Sequence, residues 1–233
     1  MYTFNSKIRY SELDRNGKLS LPGLINYFQD CSTFQSEELG IGTEFLRQRK
    51  QVWVLTYWQI EITRLPGLGE QIKVGTFATA FNGLYGHRNF VLYDEQEKML
   101  ACADSIWAFI DLTKKRPVKP SAECVLPYET AAPLPMKQEG RKITRLEKEI
   151  SSPSFWVEKH HLDTNQHVNN GQYVQMALNL STEDQVVNKV RVEYKKSAVL
   201  GDEIFPYKAE EAGRMVVELC DKDKNPFAIV EIS

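Results

Sequence analysis

Three polar residues of unlike chemistry stand within five positions at Asp163, Asn165 and His167, in the stretch Leu162-Asp163-Thr164-Asn165-Gln166-His167-Val168-Asn169-Asn170. A carboxylate can take a proton or attack an electrophilic carbon, an imidazole titrates near neutrality, and a carboxamide can orient a water or a neighbouring ring. If a helix follows, the backbone N–H groups of Asn169, Asn170 and Gly171 have no partner inside it and become donors to a developing negative charge. The plainer reading is structural. Asp-x-Asn ahead of a helix is commonly an Asx turn with a cap, and a lone histidine is more often structural than reactive.

The chain supplies its own comparison. Leu13-Asp14-Arg15-Asn16-Gly17-Lys18-Leu19-Ser20 echoes Leu162 to Asn169, Asp14 standing for Asp163. A second echo follows each copy, Ile60-Glu61-Ile62 with Gly69-Glu70-Gln71-Ile72 against Val192-Glu193-Tyr194 with Gly201-Asp202-Glu203-Ile204. Order and punctuation argue for a duplication. Lys18 occupies the place of His167, so a shared turn accounts for the Asp and Asn of both copies and leaves one imidazole unexplained.

The elements that must position these residues read alike in both copies. A short strand (Thr3 to Tyr10; Ser154 to Lys159) leads into the turn, and a capped helix follows. Ser20 caps the first helix, with Leu19 and Leu24 as a hydrophobic staple; Asn169 caps the second, with Gln172 at the capping-box position and Val168 stapling onto Tyr173. Strands are expected at Val52 to Arg64, Gln71 to Phe81, His87 to Tyr93 and Met99 to Asp111, then at Val186 to Lys196, Glu203 to Glu210, Met215 to Cys220 and Phe227 to Ile232. Between the copies, Pro117 to Arg145 holds five prolines and reads as a linker. The expectation is an α+β fold of two units, 1–116 and 149–233, joined by a linker at 117–148. Each unit sets a long helix on an antiparallel sheet, and the two sheets join edge to edge, which covers exposed edges.

Other chemistries at these residues are weaker. His160 and His161 suggest a metal site, but neighbours in a strand face opposite ways, so no metal is expected. Ser197 with His167 and Asp163 could be drawn as a hydrolytic triad, yet no nucleophile-elbow pattern surrounds Ser197. With 42% apolar residues the chain can build a sizeable core, and a net charge of −2 gives no reason to expect a nucleic-acid partner. No apolar run is long enough for a membrane span, and Met1 to Lys7 lacks the pattern of a signal peptide. Cys31, Cys102, Cys124 and Cys220 are scattered, as buried thiols of a cytoplasmic protein would be.

The strand-helix-four-strand unit with Asp-x-Asn-x-His-Val-Asn-Asn at the helix entry resembles a hotdog domain. Two in tandem, with the motif intact only in the second, resemble the bacterial and plant acyl-acyl carrier protein (acyl-ACP) thioesterases. Tyr173, Gly86-His87-Arg88-Asn89-Phe90, Ser105-Ile106-Trp107 running to Asp111, Thr113-Lys114-Lys115-Arg116-Pro117 and Gly201-Asp202 fit as well. The resemblance implies hydrolysis of fatty acyl-ACP at the end of fatty acid synthesis, without a cofactor, with Asp163, Asn165 and His167 catalytic. It also implies an apolar tunnel drawn from Leu24, Phe28, Trp53, Trp58, Phe77, Phe81, Phe90 and Trp107. An acidic carrier protein would dock on Lys114, Lys115, Arg116, Lys195 and Lys196. The chain departs from the plant pattern after Glu193-Tyr194-Lys195-Lys196, where Ser197-Ala198 replaces a Glu-Cys pair, and Ser197 is left to hold a water. Acyl-CoA hydrolysis, hydration or dehydration of an acyl chain, and acyl-thioester binding without turnover are the alternatives. Acyl chain length and oligomeric state, a homodimer included, are not given by the sequence.

Overall fold

The computed structural model describes residues 1–147, 149–181 and 186–233 and divides into two units, Met1–Gln138 and Glu139–Ser233. The first runs β1 (Tyr2–Lys7), a 3-10 turn at Tyr10–Glu12, α1 (Leu21–Glu38), α2 (Thr43–Gln48), β2 (Gln51–Ile62), β3 (Gln71–Asn82), β4 (Tyr85–Asp94), β5 (Met99–Asp111) and β6 (Arg116–Pro117). Its strands are antiparallel in the order β1-β3-β4-β5-β2, with β6 on the end of β5.

Helix α1 starts where the sequence signals it. Ser20 Oγ accepts the Gly23 N–H at 3.1 Å, and Pro22 sits in the first turn, where no N–H is needed. Leu21, Leu24, Ile25, Phe28 and Cys31 form one buried face against β3. Each large apolar side chain there contributes about 1.5–3 kcal/mol by leaving water. The rings expected along a tunnel pack on one another: Phe28 lies 5.3 Å from Phe90, and Trp58 lies 5.0 Å from Phe90.

The second unit runs β7 (Ile150–Ser151), β8 (Phe155–Trp156), a 3-10 turn at Lys159–His161, α3 (Asn170–Leu178), β9 (Lys189–Tyr194), β10 (Glu203–Glu211), β11 (Arg214–Cys220) and β12 (Pro226–Ile232). Its strands follow the order β9-β12-β11-β10, with β7 and β8 both on β10 and α3 against β11 and β12. The helix is not long, as expected from the sequence, but nine residues. Asn179 ends it, the next N–H groups fall back to shorter-range carbonyls, and Ser181 Oγ donates to Leu178 O at 2.8 Å. The strands leading into both turns are also shorter than expected, stopping at Lys7 and Trp156 before a 3-10 turn.

The proline-rich stretch follows both sheets. Val118, Ala131 and Leu134 bond to the first unit, Leu134 N–H donating to Asn89 Oδ1 at 2.8 Å. Beyond Gln138 the chain lies on the second unit, where Arg191 Nη2 donates to Gly140 O at 2.8 Å and Ile143 is buried with Val216 and Ile229.

The duplication is written in matched backbone bonds. Ile8 N–H donates to Glu70 O at 3.0 Å and Val157 N–H to Asp202 O at 2.8 Å. Leu19 N–H donates to Pro66 O at 2.7 Å, and Val168 N–H to Ala198 O at 2.9 Å. Ser20 N–H to Glu12 O and Asn169 N–H to His161 O are both 2.9 Å.

Candidate functional site

Asp163 opens a five-residue loop that His167 closes. Asp163 Oδ1 accepts the N–H of Asn165 at 2.8 Å and of His167 at 3.2 Å, while Asp163 N–H donates to His167 O at 2.8 Å. Gln166 takes the left-handed conformation, φ 62°, that lets the chain reverse. The first copy closes the same loop: Asp14 Oδ1 accepts from Asn16 at 2.9 Å and Lys18 at 3.0 Å, with Gly17 at φ 70°.

Because the backbones match, subtracting one copy from the other isolates what the second has added. His167 replaces Lys18; its side chain is exposed, with its backbone bridged to Val199. Tyr173 replaces Leu24, and its hydroxyl accepts the Ala198 N–H at 2.8 Å. The equivalent of Ala198 is Pro66, which has no N–H to satisfy. Tyr194 replaces Ile62, and its hydroxyl donates to Asn170 O at 3.0 Å. The two rings meet edge to face with centroids 5.8 Å apart. Burial pushes the Tyr173 phenol up to about 12, with the Ala198 N–H opposing and Asp202 and Asp163 adding to the rise. Burial raises Tyr194 as well, with Tyr173 adding to it. Both therefore stay neutral, and they fasten the 197–199 segment and the start of α3 around His167. The sequence offered Tyr173 as a staple and as part of the family resemblance, and Tyr194 as part of a run; the comparison with Leu24, Ile62 and Pro66 shows what their hydroxyls add.

Several expected roles change. Two of the three N–H groups expected to hold an oxyanion are already used: Asn169 N–H donates to His161 O, and Gly171 N–H donates to Asn169 Oδ1 at 2.8 Å as the helix cap. A capping side chain and a free N–H compete for the same helix end, and here the cap wins. His160 and His161 lie in a 3-10 turn rather than a strand, their rings 4.0 Å apart, so the opposite-face argument does not apply to them. His161 Nδ1 accepts the Glu158 N–H at 2.9 Å, as Glu12 accepts the Arg9 N–H at 2.8 Å in the first unit. Burial and the neighbouring His160 lower the His161 pKa, which keeps Nδ1 an acceptor. Among the described residues no group of three His, Cys, Asp or Glu is gathered as metal ligands.

Ser197 is exposed and lines an open depression of about 420 Å³ with Trp156, Phe205, Asp221 and Phe227. Asp202 lines it too, but its Oδ2 accepts the Val199 N–H at 2.9 Å, just as Glu70 accepts the Gly67 N–H at 2.7 Å. That carboxylate repeats a structural bond of the first copy and does not replace the acid missing at Ser197. Three of the five basic residues expected to dock a carrier are engaged by acids. Lys114 pairs with Asp111 at 3.4 Å, Lys195 with Glu193 and Lys196 with Asp221, whereas Lys115 and Arg116 are exposed.

Two α+β units on one plan, with an imidazole at the helix entry of the second alone, define a duplicated protein with a single candidate centre. The chain belongs to the acyl-ACP thioesterase family: its N-terminal domain model matches residues 1–128 and its C-terminal domain model residues 144–223. A chloroplastic acyl-[acyl-carrier-protein] hydrolase of Cuphea viscosissima is 27% identical over 180 residues, 72% of this chain and 43% of its own length. A chloroplastic palmitoyl-acyl carrier protein thioesterase of Arabidopsis thaliana is 22% identical over 212 residues, 82% of this chain and 51% of its own length. The chain thus spans about half the length of these curated relatives. The crystal structure described as an oleoyl thioesterase from Lactobacillus plantarum matches with a TM-score of 0.87 at 26% identity, over 99% of this chain and 94% of that one. An acyl-ACP thioesterase structure from Bacteroides thetaiotaomicron shares the fold, with a TM-score of 0.89 at 22% identity over 99% and 96%. No helix among the described residues is long and apolar enough to cross a membrane.

Proposed function

We propose that the chain hydrolyses fatty acyl-ACP thioesters to free fatty acid and carrier thiol, through a centre at His167 in the second of two tandem hotdog domains. The observation that carries this reading is the exposed imidazole that the second copy alone presents, in a chain whose family is the acyl-ACP thioesterases. His167 takes a proton from water as the oxygen attacks the thioester carbonyl. The tetrahedral oxyanion collapses, the C–S bond breaks, and the thiolate leaves with the proton held by the imidazolium. A thiolate is a good leaving group, so this single proton relay suffices. Asn165, whose carboxamide has no partner among the described residues, supplies an N–H to the oxyanion. The Ser197 hydroxyl holds the attacking water.

Lys115 and Arg116, the members of the basic run without an acidic partner among the described residues, meet the acidic carrier. Four free, buried cysteines suit a reducing compartment such as the cytoplasm. Incubation with acyl-ACP and acyl-CoA panels, reading free acid and free thiol together, tests the proposal. Equal release of both from acyl-ACP is expected. Release from neither panel, or consumption of an acyl thioester without free thiol, overturns it.

A further inference from the structure

The loop at Asp163 occurs four times among the described residues, and once beside an imidazole. Asp94 Oδ1 accepts the N–H of Gln96 at 3.0 Å and of Lys98 at 2.9 Å, with Glu97 at φ 60°. Asp221 Oδ1 accepts the N–H of Asp223 and of Asn225, both at 2.9 Å, with Lys224 at φ 60°. With the loops at Asp14 and Asp163, the same aspartate-to-second-and-fourth-residue pattern closes four reversals. The fifth position is Lys18, Lys98, His167 and Asn225 in turn. In each, the aspartate N–H also donates to the carbonyl of the fifth residue, at 2.7 Å, 3.0 Å, 2.8 Å and 3.0 Å respectively. Three of the four have no histidine to serve, so the placement of Oδ1 is accounted for by chain reversal alone.

We infer that Asp163 is a positioning residue acting through His167, and is neither the base nor the nucleophile of the reaction. Its Oδ1 lone pairs are directed at two backbone N–H groups, and its own N–H clamps the His167 carbonyl. The loop thereby fixes the His167 Cα, from which the imidazole projects. What this position needs is an acceptor oxygen and an N–H, and asparagine supplies both while offering no basic oxygen. The inference rests on the hydrolytic reading proposed above.

The test compares Asp163→Asn and Asp163→Ala with the unaltered protein. It uses acyl-ACP hydrolysis across pH and amide exchange at Asn165 and His167. Asp163→Asn is expected to keep kcat within about tenfold and to retain the wild-type pH profile, whereas Asp163→Ala loses about a hundredfold or more. The two amides should stay protected in Asp163→Asn and open in Asp163→Ala. An Asp163→Asn variant that keeps both amides protected but is as inactive as Asp163→Ala overturns the inference, as does loss of a limb of its pH profile or full activity in Asp163→Ala. If the unaltered protein releases no free acid, the hydrolytic reading fails by itself, and amides equally exposed in both variants would still overturn the positioning role.

Discussion

Replacing Tyr173 by phenylalanine removes one oxygen atom from a site with little room to adapt. Tyr173 is 2% exposed and Ala198 is 0% exposed, so no solvent is at hand to receive the Ala198 N–H when its acceptor disappears. A buried donor left without a partner costs about 1–3 kcal/mol. For a chain of this length that corresponds to a fall in Tm of about 2–12 °C. The first copy names the compensating change, because Pro66 stands where Ala198 does and accepts the Leu19 N–H in the same way. In the Tyr173→Phe background, Ala198→Pro removes the orphaned N–H while keeping the carbonyl that Val168 needs. In the wild-type background the same substitution strips a partner from the buried phenol. A double-mutant cycle by urea denaturation should therefore show Ala198→Pro as costly alone and restorative beside Tyr173→Phe, with a coupling of about 1 kcal/mol or more. A cost for Tyr173→Phe below about 0.3 kcal/mol, or the same cost for Ala198→Pro in both backgrounds, would refute the assignment.

Other consequences are as direct. Burial raises the Asp104 carboxyl, and its polar side-chain partner is the Asn89 Nδ2–H at 2.8 Å. A raised folded-state carboxyl loses stability as pH climbs from the unfolded value through the folded one. Asp104→Asn should therefore be more stable than wild type at neutral pH, with the gap closing as pH falls below about 4, measured by denaturation across pH; a gap independent of pH would contradict this. Lys115→Glu with Arg116→Glu should raise KM for acyl-ACP, steepest at low salt, and leave acyl-pantetheine hydrolysis unchanged. Lys196→Ala should change KM for acyl-ACP much less, since Asp221 already holds that charge; an equal effect would move the docking face.

Much of the fold was legible because its signals are local. Ser20 and Pro22 announce α1, and apolar spacing from Leu21 to Cys31 gives its buried face. Alternation along Trp58 to Thr63 likewise marks β2. What was not legible depended on competition between groups. Asn169 as a cap and Gly171 as an oxyanion donor cannot both hold when the cap uses that N–H. Lys195 and Lys196 look like a free basic pair until Glu193 and Asp221, the latter 25 positions away from Lys196, come to lie against them. The strand expected from Ser154 to Lys159 stops at Trp156, because Lys159, His160 and His161 form a 3-10 turn in which the His161 side chain caps the Glu158 N–H. For the site, the internal repeat was the strongest instrument. It separates His167 from its turn in the sequence itself, and the matched bonds give the Tyr173 and Tyr194 hydroxyls their partners and Asp202 a structural one.

The central claim is that the imidazole of His167 makes the second copy reactive where the first is not. His167→Lys tests it most directly, because it installs the residue that the first copy carries in an otherwise matching loop. With the substitution on an exposed side chain, stability should stay within about 0.5 kcal/mol of wild type. Free-acid release from acyl-ACP should fall by about 10²–10⁴-fold, the range for loss of a positioned proton-transfer group. Hydrolysis within about twofold of wild type in the folded His167→Lys protein would contradict the account.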